Sequence, residues 1–286
     1  VIEKNGIVFG VCYDDNLIAH HEYVTTLKDL KKFQGSKYVR SDLRDSYVKV
    51  EEFLKKGKYV LFTGTPCQCQ GLRAFVKKEY DKLITCEIIC HANPSPKVLE
   101  LYKKNLEGIH KQQVINIIFR SKSNGWKNST PIIKLKDGSK YEENSYYKAF
   151  IAELINRPSC SKCRFCGPKR YSDFSIGDLW GIDKIDSSIK DDDTGISLLN
   201  VNTEKGFEIF EKIKDELFIK ETNTEEVFSY NHHCNVQPHK NRDDFFKGIS
   251  DGTINESNII KYMNKSPLYK KAINKCKRIS KKIINK

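Results

Sequence analysis

The chain has 286 residues, 38% of them apolar and 30% charged, which suits one large or two modest globular domains and excludes collagen-like and disordered classes. No window approaches the roughly 18–20 uninterrupted apolar residues of a membrane span, and "VIEKNGIVFG" at the start does not read as a secretory signal. The net charge of +13 comes mostly from one end: residues 261–286 hold nine lysines and Arg278 with no acid, leaving about +3 for the rest, so specific nucleic-acid binding by the main fold is not expected.

In chain order, "IVFGVCYDDNLIAHHEYV" reads as two strands joined by a turn at Asp14–Asn16. Leu43, Tyr47, Val50 and Leu54 recur at helical spacing and Gly57 marks a stop. "KYVLFTG" is a buried strand, followed by a helix with Leu72, Phe75 and Val76 on one face. "KLITCEIIC" is another buried strand, and "SPKVLELYKKNLEG" is a helix capped by Ser95, with Pro96 in its first turn and Gly108 at its end. This alternation predicts an α/β (mixed α+β) fold with a parallel or mixed sheet core. A β-rich segment follows: "VINIIFR", then "PIIKLKDGSKYEEN" with an Asp137–Gly138 hairpin turn. A helix over 146–156, the strand "GISLLNVNT" and a helix over 204–216 complete the pattern. Three regions are expected: 1–48 as an N-terminal remnant, 49–250 as the main domain, and 251–286 as a basic helical tail. With Val1 first and Met263 the sole methionine, the chain is expected to be a piece of a longer protein.

Ten cysteines scattered through ordinary core and loop sequence suit a reducing cytoplasm better than an oxidised compartment. The dense group is "RPSCSKCRFCGPKR", where Cys160, Cys163 and Cys166 follow at equal intervals. A disulfide knot, a zinc knuckle and an iron–sulfur site all remain open at this point. Cys67 in "FTGTPCQCQG" lies after one strand and at a helix start, where a thiolate is favoured. Cys90 in "ICHANPSP" ends the next strand. If those strands are parallel neighbours, both thiols sit at the carboxyl edge of one sheet, where α/β folds bind cofactors. Cys67, Cys90, Cys160 and Cys163 together would make four thiolates, suited to a [4Fe–4S] cluster or to a structural zinc. Position 170 is Arg170, so a ferredoxin-type fourth cysteine is absent from the run. Cys12, Cys69, Cys86 and Cys276 are expected to be core or surface thiols.

The ordered motifs "GTPCQ", "CHANPSPKV", "FRSKSNGW", "RPSCSKCRF", "SDFSIGDLWGI" and "DDDTGISLLNVNT", with "QPHKNRDDFF" near the end, resemble the coenzyme F420 hydrogenase/dehydrogenase beta-subunit family, whose bacterial relatives often accompany polysaccharide-synthesis enzymes. The likeness runs over about residues 6–250. It implies an iron–sulfur flavoprotein that moves electrons between FAD, a [4Fe–4S] cluster and a reduced hydride carrier (a deazaflavin or a nicotinamide) or a ferredoxin. It also places the cluster on Cys67, Cys90, Cys160 and Cys163, which favours iron over zinc. Two family features are absent before Val1: a ferredoxin-like domain and a serine–glycine-rich helix start at the flavin, so this chain is expected to hold only part of the flavin site. Ala92 stands in the place of a usual glycine, and Cys166 where many relatives carry alanine. Cys166 is therefore expected to be a bystander.

Beside that resemblance, Gly35, Ser36, Lys37 and Arg40 form a glycine–serine turn among cations, suited to a flavin pyrophosphate or to a solvated basic face. Arg120, Lys122 and Trp126 suit an anionic ligand under an aromatic lid, or a cap on the core. Asp178 and Trp180 lie between glycines in "GDLWG", which suggests a bulky neighbour such as the cluster or the flavin ring. Asp178 is a candidate proton donor and His91 a candidate relay. Asp191–Asp193 read as a solvated turn before a cation site, and His232 and His233 as surface residues. Leu268, Ala272, Cys276, Ile279 and Ile283 make the tail a basic amphipathic helix, able to dock on an anionic membrane surface or an acidic partner.

Overall fold

The computed structural model describes residues 1–189, 191–231 and 235–264. Nine strands are described: β1 (Ile7–Tyr13), β2 (Ala19–Val24), β3 (Val60–Gly64), β4 (Leu83–Ile88), β5 (Val114–Ser121), β6 (Thr130–Leu135), β7 (Lys140–Glu142), β8 (Phe174–Asp178) and β9 (Ser197–Val201). The described α-helices are α1 (Ser46–Lys55), α2 (Pro66–Val76), α3 (Pro96–His110), α4 (Ser145–Ile151), α5 (Ile182–Ile185), α6 (Glu204–Glu211), α7 (Thr224–Tyr230), α8 (Arg242–Ser250) and α9 (Ile259–Asn264). The chain forms two compact units with interleaved segments.

The first unit takes Val1–His91, Arg120–Ser129 and Lys162–Asn235. Its centre is a six-stranded mixed sheet in the order β2-β1-β3-β4-β8-β9. The β1, β3, β4 and β8 strands run parallel, and the hairpin partner β2 and the last strand β9 run antiparallel. The sheet therefore follows the expected mixed α/β plan, with β3 and β4 as parallel neighbours. Phe9, Val60 and Phe62 are fully buried and meet Val50 of α1 and Cys69 and Leu72 of α2. Each such large side chain contributes about 1.5–3 kcal/mol by leaving water, so this cluster fixes α1 and α2 against the sheet.

The link from β4 to β8 is polar. Thr85 donates its N–H and its hydroxyl to the Asp173 carboxylate (2.8 and 2.9 Å), and Thr203 donates its hydroxyl to the other Asp173 oxygen (2.8 Å). Asp173 is 1% exposed, so these bonds replace the hydration it loses. The β8 strand was not expected from the sequence. In "SDFSIGD" the buried Ser172 and Ser175 donate their hydroxyls to Glu87 (2.9 Å each) instead of packing in an apolar layer.

The second unit takes Ala92–Phe119, Thr130–Ser161 and the described residues from Val236. The α3 helix buries Val98, Leu99, Leu101, Tyr102 and Leu106. The Tyr102 ring stands 5.3 Å from that of Tyr146 in α4, and its hydroxyl donates to Glu143. The β6 and β7 strands pair antiparallel across the expected Asp137–Gly138 turn, where Gly138 has φ +89°. Three expectations needed correction. The α3 helix runs through Gly108, which has open space around it, and stops where Lys111 turns left-handed (φ 54°). Ser95 occupies the N-cap position without a side-chain bond. The α4 helix ends at Ile151, because the chain turns back at Glu153 (φ 62°) to pair around Asn156.

Among the described residues, no helix is long and apolar enough to cross a membrane. The amphipathic pattern of the tail from 265 to 286, and His232, His233 and Cys234, lie outside the described residues.

Candidate functional site

Cys67 follows β3 through a turn that side chains hold on both sides. Gln68 accepts the Thr65 N–H at 3.0 Å in a capping box at the start of α2, and Tyr47 donates its hydroxyl to the Gln68 carbonyl at 2.7 Å. The Gln68 amide N–H donates to the Ser41 hydroxyl (2.9 Å), which lies 3.1 Å from Nδ1 of His21. His21 in turn donates Nε2–H to the Thr63 carbonyl at 3.1 Å and stacks on Phe62. Burial pulls the imidazole down to about 4, so it is neutral and acts as a fixed strut. At the end of this chain Cys67 is exposed, with its sulfur 3.2 Å from the Thr65 hydroxyl.

Cys90 and His91 are half-buried just beyond β4, where the Ile89 N–H donates to the Ile176 carbonyl at 2.8 Å and holds β4 to β8. Below this edge is a buried ion pair. Glu87 is 1% exposed and accepts from the hydroxyls of Ser172 and Ser175 (2.9 Å each) and from Arg170 (3.4 Å). Arg170 also donates to the Phe165 carbonyl at 2.8 Å, and its guanidinium lies over the Phe228 ring at 4.7 Å. The Cys163 loop is thereby tied to the end of β4.

The CxxC sulfurs receive backbone donors. The Asn93 N–H points at Cys160 Sγ and the Phe165 N–H at Cys163 Sγ, each at 3.4 Å. Amide donors of this kind stabilise thiolates, so Cys160 and Cys163 each have surroundings suited to a thiolate ligand. Cys166 instead donates to Asn235 Oδ1 at 2.9 Å. Burial holds Cys69 and Cys86 as thiols, pushing Cys86 up to about 12 and Cys69 up as well. None of the eight described cysteines is in a disulfide.

The other candidates lie elsewhere in the first unit. Arg120 lies beside a stacked tryptophan pair: its guanidinium is 5.5 Å from the Trp126 ring and 5.4 Å from the Trp180 ring, whose centroids are 4.1 Å apart. It pairs with Asp178 at 3.4 Å. Lys122 donates to the Thr194 carbonyl at 2.7 Å. The carboxylates of 191–193 are held by Lys127 and by the N–H and hydroxyl groups of their own turn, as a structural turn requires. The glycines of "GDLWG" do approach bulky groups, but these are protein. A Cβ on Gly177 would lie 3.0 Å from Ile89, and one on Gly181 (φ +77°) would lie 2.9 Å from the Tyr230 ring.

Gly35 and Ser36 are exposed after the 3₁₀ turn Lys28–Phe33, as is Arg40. Lys37 donates to the carbonyls of Phe33, Gln34 and Gly35 at 3.1–3.3 Å, so it caps that turn. This loop packs on β1, whereas Arg120, Asp178 and Trp180 gather beyond β8; β3 and β4 stand between them in the sheet. The residues considered for the flavin are therefore not brought together.

The family defined by the C terminus of the coenzyme F420 hydrogenase/dehydrogenase beta subunit matches residues 57–227. The chain belongs to this family. Its class is that of hydrogenase and dehydrogenase subunits, an oxidoreductase role, and the matched span contains Cys67, Cys90, Cys160 and Cys163. A chain of the xenon-derivatised F420-reducing [NiFe] hydrogenase complex from Methanosarcina barkeri is similar at 18% identity, over 91% of this chain and 80% of that one, with a TM-score of 0.48. No curated protein sequence matches.

Proposed function

We propose that this family member is an iron–sulfur flavoprotein oxidoreductase in which Cys67, Cys90, Cys160 and Cys163 hold a [4Fe–4S] cluster. The observation that carries the reading is the pair of backbone amides donating to Cys160 and Cys163, since such donors favour sulfur in its anionic, metal-binding form. The cluster would supply one-electron transfer. The chain's own contribution is to hold the ligands: the His21–Ser41–Gln68 strut fixes the Cys67 turn, and the Glu87–Arg170 pair fixes the loop of Cys163.

FAD is the proposed two-electron carrier, with a deazaflavin, a nicotinamide or a ferredoxin as the exchanging partner. Arg120 and the partly exposed Trp180 are the contacts proposed for it on this side, Trp126 being buried beneath them, with Asp178 and His91 as candidate proton-handling groups. Lys37 already serves the carbonyls of its own turn, so no phosphate contact is assigned to it. A role near surface-polysaccharide synthesis, and docking of the 261–286 tail on an anionic surface, belong to the same proposal.

A structural zinc protein is the second reading, because four thiolates also suit zinc. Metal and flavin analysis of anaerobically purified protein separates the two. Iron with flavin supports the oxidoreductase, whereas one zinc in a colourless protein overturns it.

A further inference from the structure

The hairpin β1–β2 carries a second set of metal-type donors that the four-cysteine reading does not use. Antiparallel register sets Cys12 opposite His20 and Gly10 opposite Glu22. Because side chains alternate along a strand, Cys12, His20 and Glu22 emerge on one face, at the edge of the sheet. Cys12 Sγ lies 3.3 Å from His20 Nε2 and 3.3 Å from Glu22 Oε2, and the three ligand atoms all lie within 4.8 Å of one another. In a tetrahedral zinc site with bonds of about 2.3 Å to sulfur and about 2.0–2.1 Å to nitrogen or oxygen, adjacent donors stand roughly 3.5 Å apart. The observed spacing is close to that of such a site.

Three features show that the donors are arranged for a cation. His20 Nδ1 is 3.2 Å from the Ile18 carbonyl, so the ring proton sits there and the Nε2 lone pair faces the sulfur, as in metal-binding imidazoles anchored by a carbonyl. Cys12 and His20 are 4% and 5% exposed, which holds both donors in place. Lys32 pairs with Glu22 Oε1 at 3.5 Å, on the oxygen that does not face the sulfur. The charge also balances, since a thiolate and a carboxylate neutralise a divalent ion despite the nearby Lys32 and Lys37.

We infer that Cys12, His20 and Glu22 form a divalent-metal site of the zinc class, separate from the four-cysteine set. On binding, the Cys12 S–H proton that now points to Glu22 leaves to solvent and a metal–sulfur bond takes its place. Three protein donors leave the fourth position to water or a small ligand.

The test uses the full chain with its cluster loaded anaerobically, chelator-treated and then exposed to zinc. Anomalous diffraction at the zinc edge should place a peak between Cys12 Sγ and His20 Nε2 in the unaltered protein. Equilibrium dialysis should show one zinc per chain whose affinity falls by at least about 100-fold in Cys12→Ser and in His20→Gln, since each loses a direct donor where loss of an outer partner alone costs 10–100-fold. Zinc found only at Cys67, Cys90, Cys160 or Cys163, or affinity unchanged in both variants, would overturn the inference. The map separates this outcome from failure of the cluster reading, which would appear as zinc at those four cysteines.

Discussion

Glu87→Gln isolates the buried charge that holds the cysteine loop. The Arg170 and Glu87 side chains are 2% and 1% exposed, and Arg170 Nε has no partner among the described residues. The variant keeps the shape of the side chain but removes the charge opposite the guanidinium, which is left with neutral acceptors and the Phe228 ring. Removing one partner of a buried pair costs about 3–5 kcal/mol, much of it from the uncompensated charge. Urea unfolding followed by tryptophan fluorescence should therefore show a loss in that range for Glu87→Gln and for Arg170→Met. The double variant Glu87→Gln/Arg170→Met should lose less than the two single losses added together, because neither charge is then stranded. Single losses below about 1 kcal/mol that simply add would refute the reasoning, since exposed pairs behave that way.

Three further outcomes follow from the same geometry. Cys166→Ser should keep full iron content, because its thiol bonds Asn235; iron analysis after anaerobic reconstitution checks it. In cluster-free protein, iodoacetamide near pH 8 should label exposed Cys67 well before Cys69 or Cys86, whose thiols burial keeps protonated; peptide mass spectrometry reads the order, and cluster loading should then protect Cys67. Gly181→Ala should destabilise the first unit by roughly 1–3 kcal/mol, through a left-handed φ of +77° and a Cβ lying 2.9 Å from the Tyr230 ring; a urea midpoint unchanged from the parent would contradict this.

Much of the sheet was legible because its strands are apolar runs set between helical patterns. "KYVLFTG" and "KLITCEIIC" announce β3 and β4, and their parallel pairing puts Cys67 and Cys90 after neighbouring strand ends, as expected. The β8 strand was hidden because its inward residues include Ser175, which is there to serve Glu87; a burial pattern read from hydrophobicity passes over it. The stop at Lys111 was hidden because an exposed Gly108 costs a helix only about 1 kcal/mol. Cys12 and His20 carry no motif, since seven intervening positions match no ligand spacing. The Asp14–Asn16 turn could have revealed them, because a hairpin centred there sets residue 12 opposite residue 20. Lys37 looked like a phosphate ligand, and no one-dimensional signal distinguishes that role from capping the preceding turn.

The central claim is that Cys67, Cys90, Cys160 and Cys163 hold a [4Fe–4S] cluster. The most direct measurement is iron and acid-labile sulfide per chain in anaerobically purified protein, with Cys160→Ser prepared in parallel. The account predicts about four irons and about four sulfides in the parent, with the broad absorbance of a thiolate-bound cluster, and loss of most of both in Cys160→Ser. A parent that binds zinc and no iron, or a Cys160→Ser variant with its iron unchanged, would contradict it.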